Sequence, residues 1–266
     1  MGAVIPIDDP DDPRIAAYRD VRERDLVGRR GLFIAEGEVV LRVLARQRRH
    51  AAVSVLVASK RAAALAEVLS GFDPGVPVFA AEQAVMDALV GFPIHRGILA
   101  LGRRAPAPSA GEALDALGSR AVVLALFGIA NHDNMGGILR NAAAFGAGLV
   151  LLDETCCDPL YRKAIRVSVG GALLVPFTRL AAGEDAVALL QARGFEVLGL
   201  SPGGGETLAA VKRPERVAVA LGAEGPGLPQ NVLARARRVA IPMAGGFDSL
   251  NVATTSGIVL HHLMGG

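Results

Sequence analysis

Five side chains with complementary polar chemistry lie in three glycine-bearing stretches of this 266-residue chain. The first stretch, Asn131-His132-Asp133-Asn134-Met135-Gly136-Gly137-Ile138-Leu139-Arg140, carries the amide of Asn134 and the guanidinium of Arg140. The second, Gly222-Ala223-Glu224-Gly225-Pro226-Gly227-Leu228, carries the Glu224 carboxylate, and the third, from Ile241 to Ala253, carries Ser249 and Asn251. A fixed cation aimed at a phosphate or at a developing oxyanion lowers the energy of charge that appears during a reaction. Amides, hydroxyls and a carboxylate beside it can orient both the cation and a substrate. Plainer roles stand next to these. Arg140 lies on an otherwise apolar helix and can reach water by its long stem, or pair with a nearby carboxylate. Glu224 can be a structural carboxylate, paired with Arg140 or with a helix N-terminus.

Each stretch follows or opens on an apolar run of strand length, and the first and third lead into a helix. A strand that turns through glycines into a helix start leaves backbone N–H groups unpaired, and these can hold a polar ligand. In the third stretch, Ile241-Pro242-Met243 reads as the end of a strand. Ser249 and Asn251 then occupy N-cap positions ahead of apolar residues at helical spacing through Ile258, Val259 and Leu260. In the first, Asn134 is the expected N-cap and Gly136 permits tight passage into a helix over Gly136–Phe145. The second is neither the dinucleotide pattern G-x-G-x-x-G nor a phosphate-binding P-loop, which needs Lys-Ser/Thr. Any one glycine turn is a weak signal; the three together are expected to converge on one site.

The elements that must position these turns alternate between strands and helices along the chain, which predicts an α/β protein. Residues 1–103 read as one α/β sandwich domain. A helix starts at Asp12-Pro13, strands cover Leu32–Glu36, Val53–Val57, Val76–Phe79 and Gly97–Gly102, and helices include Arg61–Leu69 and Ala81–Val90. Residues 104–118, rich in Pro and Ala, read as a semi-stiff linker. Residues 119–266 resume the alternation. Strands are expected at Val122–Gly128, Leu149–Asp153, Leu174–Leu180, Phe195–Leu200, Arg216–Gly222 and Val239–Pro242, and helices at Gly136–Phe145, Pro159–Val169 and Glu184–Arg193. These strands are continuous apolar runs, the mark of a parallel sheet covered on both faces.

Composition narrows the class. Hydrophobic residues make up 52% and charged residues 20%, with 32 Gly and no Trp, so the chain can bury a core. Its apolar runs are too short to cross a bilayer, so no membrane association is expected. The Asp8, Asp9, Asp11, Asp12 start lacks the layout of a signal peptide, and a cytoplasmic location is expected. Cys156 and Cys157, the two cysteines, are adjacent and cannot make a zinc site unaided; they read as small buried hydrophobes. The five histidines (His50, His95, His132, His261, His262) show no metal-ligand spacing, and no metal is expected. A net charge of +2 decides nothing by itself. The arginines cluster, however: Arg22, Arg24, Arg29 and Arg30; Arg42, Arg46, Arg48 and Arg49; Arg103 and Arg104. Such clusters are solvated surface or phosphate contacts.

Taken in order, the three stretches resemble the motifs of the SpoU/TrmH branch of the SPOUT methyltransferases, which methylate a ribose 2′-hydroxyl of tRNA or rRNA. Arg162-Lys163-Ala164-Ile165-Arg166-Val167-Ser168-Val169-Gly170 is similar to the helix between that family's first two motifs. The first domain, with Phe33-Ile34-Ala35-Glu36-Gly37, resembles more loosely an L30e-like RNA-binding domain. The resemblance implies a C-terminal SPOUT domain with a parallel sheet and a trefoil knot, homodimeric through that domain, acting on RNA with S-adenosylmethionine. It places Gly222, Ile241 and Leu250 on the cofactor, with Ala223, Gly225 and Met243 nearby. Arg140 matches the arginine credited with activating the hydroxyl, and Asn134, Glu224, Ser249 and Asn251 would orient it and the ribose. Guanidinium stays protonated to about pH 12, so Arg140 either deprotonates transiently when crowded or stabilises the alkoxide electrostatically. His132-Asp133 and Gly246-Phe247 depart from the family's usual residues. Two other readings are an RNA-binding protein that keeps the pocket without turnover, and a nucleotide-dependent oxidoreductase, which lacks its fingerprint here.

Overall fold

Two separate sheets form from these runs in the computed structural model, which describes residues 4–19, 23–90, 97–203, 205–245 and 247–264. Arg22, His95 and Gly246 lie outside the described residues. The chain divides into two units, residues 1–105 with 158–174, and residues 106–157 with 175–266.

In the first unit five strands, β1 (Val4–Ile7), β2 (Leu32–Glu36), β3 (Ala51–Ala58), β4 (Val78–Ala81) and β5 (Ile98–Arg103), form a sheet in the order β1-β4-β3-β5-β2. β4 runs parallel to β1 and β3, whereas β5 is antiparallel to β3 and β2. The sheet's core includes Ile7, Ile15, Tyr18, Leu56, Phe79, Met86 and Leu99. Buried Tyr18 keeps its hydroxyl 2.7 Å from Ser54 Oγ, which satisfies two polar groups at once. β1 went unseen in the sequence. The expected first helix is a 3₁₀ helix, Pro13–Tyr18, capped by Asp12. The expected Arg61–Leu69 helix is two single turns, Ser59–Ala62 and Ala66–Leu69.

Residues 158–174 were expected within the C-terminal domain, yet their contacts cluster with the first unit. Expected as one helix over Pro159–Val169, they form Arg162–Val167 and then Gly171–Leu174. Glu36, at the end of β2, lies 3.4 Å from Arg166 and 3.9 Å from Arg162. Val169 sits at φ 54 and Gly170 at φ 84, and a side chain at Gly170 would meet Val43 at 3.0 Å. Charge pairing and close packing, both non-local, draw the segment to this unit.

The second unit holds β6 (Ala121–Phe127), β7 (Leu149–Leu152), β8 (Phe177–Arg179), β9 (Glu196–Leu200), β10 (Glu206–Thr207), β11 (Arg216–Gly222) and β12 (Arg237–Ala240). Their order is β10-β12-β9-β11-β6-β7-β8, and every pairing is parallel. All seven residues of β6 are buried, as continuous apolar strands require when both faces are covered. Strand β8 is shorter than the expected Leu174–Leu180, because Leu174 ends a helix and Pro176 follows. Strand β12 stops at Ala240, so Ile241-Pro242-Met243 leaves the sheet; Pro242 has no N–H to give a ladder.

The stretch expected as a linker, 104–118, contains a helix, Ala110–Asp115. Ser109 and Glu112 form a reciprocal capping box at its start, and Ala110, Ala113 and Leu114 enter the core of the second sheet.

Candidate functional site

Asn131, rather than Asn134, begins the first critical helix. Its Oδ1 accepts from the N–H groups of Asp133 and Asn134, and the helix runs from His132 to Phe145. Helix onset three to four residues earlier than expected puts Asn134 inside the first turn, 7% exposed, with its side chain released from capping. Gly136 lies buried in the helix, not at its mouth. The approach to Asn131 is pinned from beneath. Gly128 N–H donates to Asp153 at 2.9 Å, Ile129 N–H reaches Cys156 Sγ at 3.3 Å, and Cys157 N–H donates to Ile129 O at 2.9 Å. Burial, with Asp153 nearby, pushes the Cys156 thiol up to about 12, so it is a neutral packing group, as its sequence context suggested.

The terminal helix, Val252–Met264, starts from Asn251, whose Oδ1 accepts from Ala253 and Thr254 N–H at 2.9 and 3.3 Å. The other end of the same amide donates to Asn134 Oδ1 at 2.8 Å and to Glu224 Oε1 at 2.9 Å. One residue thus ties the three stretches together. Glu224 takes this amide as its partner among the described residues, so the expected alternative of a pair with Arg140 is not what forms.

Close packing of the two helices makes that bond possible. A Cβ on Gly137 would lie 2.6 Å from Ala253 Cβ, so glycine sets the approach. One turn on, Asn141 Nδ2 donates to Ala253 O at 2.7 Å and to buried Ser256 Oγ at 2.9 Å. In the glycine turn after β11, a Cβ on Gly222 would lie 2.2 Å from the Gly227 carbonyl carbon and 2.3 Å from Leu228 N. Gly227 N–H closes that turn onto Ala223 O at 2.9 Å, with Gly225 and Gly227 both at positive φ.

At the carboxyl ends of β9, β11 and β12, where parallel sheets leave room for ligands, lies a cavity of about 480 Å³. Gly222, Ala223, Glu224, Gly225, Ile241, Met243, Ser249, Leu250 and Asn251 all line it. Sequence reasoning missed the wall formed by Leu200, Ser201 and Pro202. Their place at the end of an apolar strand neighbouring β11 was the available signal. Asn131, Asn141 and Ser256 were missed too; Asn131 is four residues past a strand, a cap position in plain sight. Ser249 is exposed, and the capping role falls to Asn251. Arg140 is exposed and is not among the residues lining the cavity. Among the described residues, no group of three or more His, Cys, Asp and Glu could hold a metal, and no helix is long and apolar enough to cross a membrane.

Residues 121–261 match the SpoU rRNA Methylase family, a span that covers the three motifs and most of the second unit. The chain belongs to that family of RNA methyltransferases. A Mycobacterium bovis protein named as an uncharacterized tRNA/rRNA methyltransferase is 41% identical over 264 residues, covering 95% of this chain and 89% of that one. The fold is shared with the AdoMet-bound rRNA methyltransferase of Sinorhizobium meliloti: TM-score 0.80, 21% identity, 98% of this chain and 97% of the other. The SpoU methyltransferase AviRb of Streptomyces viridochromogenes, crystallised with AdoMet, superposes with TM-score 0.78 at 21% identity, over 95% and 97% of the two chains. The SpoU assignment fits the mixed α/β architecture and the parallel second sheet; nothing in it calls for a dinucleotide fingerprint.

Proposed function

We propose that this SpoU family member transfers a methyl group from S-adenosylmethionine to a ribose 2′-hydroxyl of tRNA or rRNA. The observation that carries the reading is that the second and third glycine stretches line one cavity, while the Asn251 amide at its edge donates both to Glu224 and to Asn134 of the first stretch. The residues fit the cofactor. Ile241, Met243 and Leu250 offer apolar walls to a flat heterocycle, and the backbone at Gly222, Ala223 and Gly225 offers polar edges without side-chain obstruction. When bound, the cofactor supplies a methyl carbon made electrophilic by its sulfonium.

The chain's own residues then do two things. Asn251 fixes Asn134 and Glu224 relative to the cavity, so that their remaining polar atoms, with Ser249, orient the ribose. Arg140, exposed on the helix that carries Asn134, meets the substrate from outside the cavity. There its positive charge acts by stabilising negative charge on the ribose oxygen or by steering an RNA phosphate that takes the proton. The first unit is the RNA-holding domain, supported by the exposed Arg46, Arg48 and Arg103. Neighbouring arginines are already paired, Arg42 and Arg61 with Glu38 at 2.8 and 2.9 Å. The second unit is the knotted, dimer-forming domain, with half-exposed Ile258 of the terminal helix in the subunit contact.

Methyl transfer from labelled S-adenosylmethionine to total RNA of a strain lacking the gene tests the reaction, and digestion to nucleosides locates the methyl group. Label on a base, or RNA binding without transfer, would sink the reading, and the second outcome would favour a non-catalytic RNA-binding protein. For Arg140, near-normal rates in Arg140→Lys across pH are expected if charge alone matters. A rate that collapses and acquires a new pH dependence would point to proton abstraction instead.

A further inference from the structure

The loop that closes the cavity carries one ring that the cavity does not use. Phe247 is 69% exposed, more than any other large hydrophobic among the described residues; Val39, Leu174 and Ile258 follow, each on a helix. Its loop supplies Met243, Ser249, Leu250 and Asn251 to the cavity lining, so Phe247, not itself in the lining, lies between residues that are. Its backbone is held: Phe247 N–H donates to Ala244 O at 3.3 Å, closing a turn in which Gly245 takes φ 66.

We propose that Phe247 is a stacking platform for an unpaired base of the RNA substrate, the target nucleotide or its immediate neighbour, and so helps decide which nucleotide is methylated. The inference rests on the ribose-methylation reading above. Sequence-specific RNA recognition works on splayed bases, which stack on aromatic side chains. A ribose placed at the cavity leaves its base outside, where only a flat apolar surface with polar surroundings matches a base's face and edges. Polar groups follow Phe247 directly: Asp248 and Ser249 are both exposed.

The absence of tryptophan from the chain gives a direct probe. Phe247→Trp places a single indole at the platform in the full-length protein. Adding total RNA from the deletion strain is expected to quench its fluorescence, because a stacked base quenches indole, and methyl transfer should remain close to the parent's. Phe247→Ala and Phe247→Leu are both expected to raise KM for RNA about tenfold or more, the range stacking supplies, with little change in kcat or in S-adenosylmethionine affinity. Unquenched indole in an active Trp variant, or a Leu variant as good as the parent, would overturn the platform. So would an Ala variant whose loss follows a shift from dimer to monomer. A parent protein that methylates no RNA would instead remove the reaction itself, a result distinguishable because the fluorescence arm needs binding alone.

Discussion

Two helices of the second unit begin at an asparagine whose side chain accepts from the first turn, Asn131 before His132–Phe145 and Asn251 before Val252–Met264. The loops that deliver them differ. The first, Gly128 to Asn131, is tied down by Asp153, Cys156 and Cys157. The second, Ile241 to Asn251, is mostly exposed and contributes five residues to the cavity lining. Labour is divided accordingly. At the first helix, capping falls to Asn131 while Asn134, one turn in, accepts from Asn251. At the second, Asn251 does both with opposite ends of one amide. A loop anchored to the sheet can set a helix precisely enough to carry a site residue later in that helix. A loop lining a cavity has few internal partners, so the amide that reaches across from it must also be its anchor.

The largest effect separating the two caps is expected at Asn251. Asn251→Ala removes the cap and both donors, and should lower methyl transfer by about 100-fold or more while lowering thermal stability by about 1 kcal/mol. Asn251→Asp sharpens the point. It keeps a capping oxygen but loses the donors and sets a second carboxylate against Glu224, so melting temperature should stay near the parent's while activity is lost. An active Asp variant would show that the amide bonds to Asn134 and Glu224 are incidental.

Gly137→Ala tests whether the two helix starts act through their packing. The new methyl would sit 2.6 Å from Ala253 Cβ and force the helices apart, costing about 1–3 kcal/mol. The 2.8 Å bond between Asn134 and Asn251 should stretch, with kcat down about tenfold though both caps remain. Asn131→Ala comes next: about 1 kcal/mol lost, a melting temperature lower by roughly 2–4 °C, and an unchanged kcat. An Asn131→Ala protein as stable as the parent but inactive would collapse the division of labour. The smallest effect is expected at Cys156. With its thiol pushed up to about 12 by burial, it should resist iodoacetamide at pH 8 in the native protein and react after denaturation. Site-resolved peptide mapping checks this, and rapid native labelling would mean that the first loop is not anchored as described.

A prediction at Asn131 is available at all because the structure moved a cap that the sequence placed at Asn134. Both residues are good caps, and both precede the apolar periodicity. The choice depended on where Gly128 and Ile129 were held, which Asp153 and Cys156 determine from 25 and 27 residues away. The linker reading of 104–118 failed for a different reason. Its Pro and Ala content is that of a spacer, but Ser109 and Glu112 were a legible capping box, and apolar burial of Ala110, Ala113 and Leu114 made the helix worthwhile. Segment 158–174 could not have been placed from sequence, since Glu36, which lies close to both Arg162 and Arg166, is more than 120 residues upstream.

By itself the sequence determined the alternation of strands and helices, the parallel character of the second sheet, and the identity of the glycine turns with their polar residues. These follow from local periodicity and from the conformations glycine and proline allow or forbid. Tertiary structure alone decided which amide caps and which reaches across, that Gly137 and Ala253 set the helix spacing, and that Leu200, Ser201 and Pro202 complete the cavity. The reason is physical: a hydrogen bond or a close approach between residues more than a hundred positions apart leaves no periodic trace in either segment.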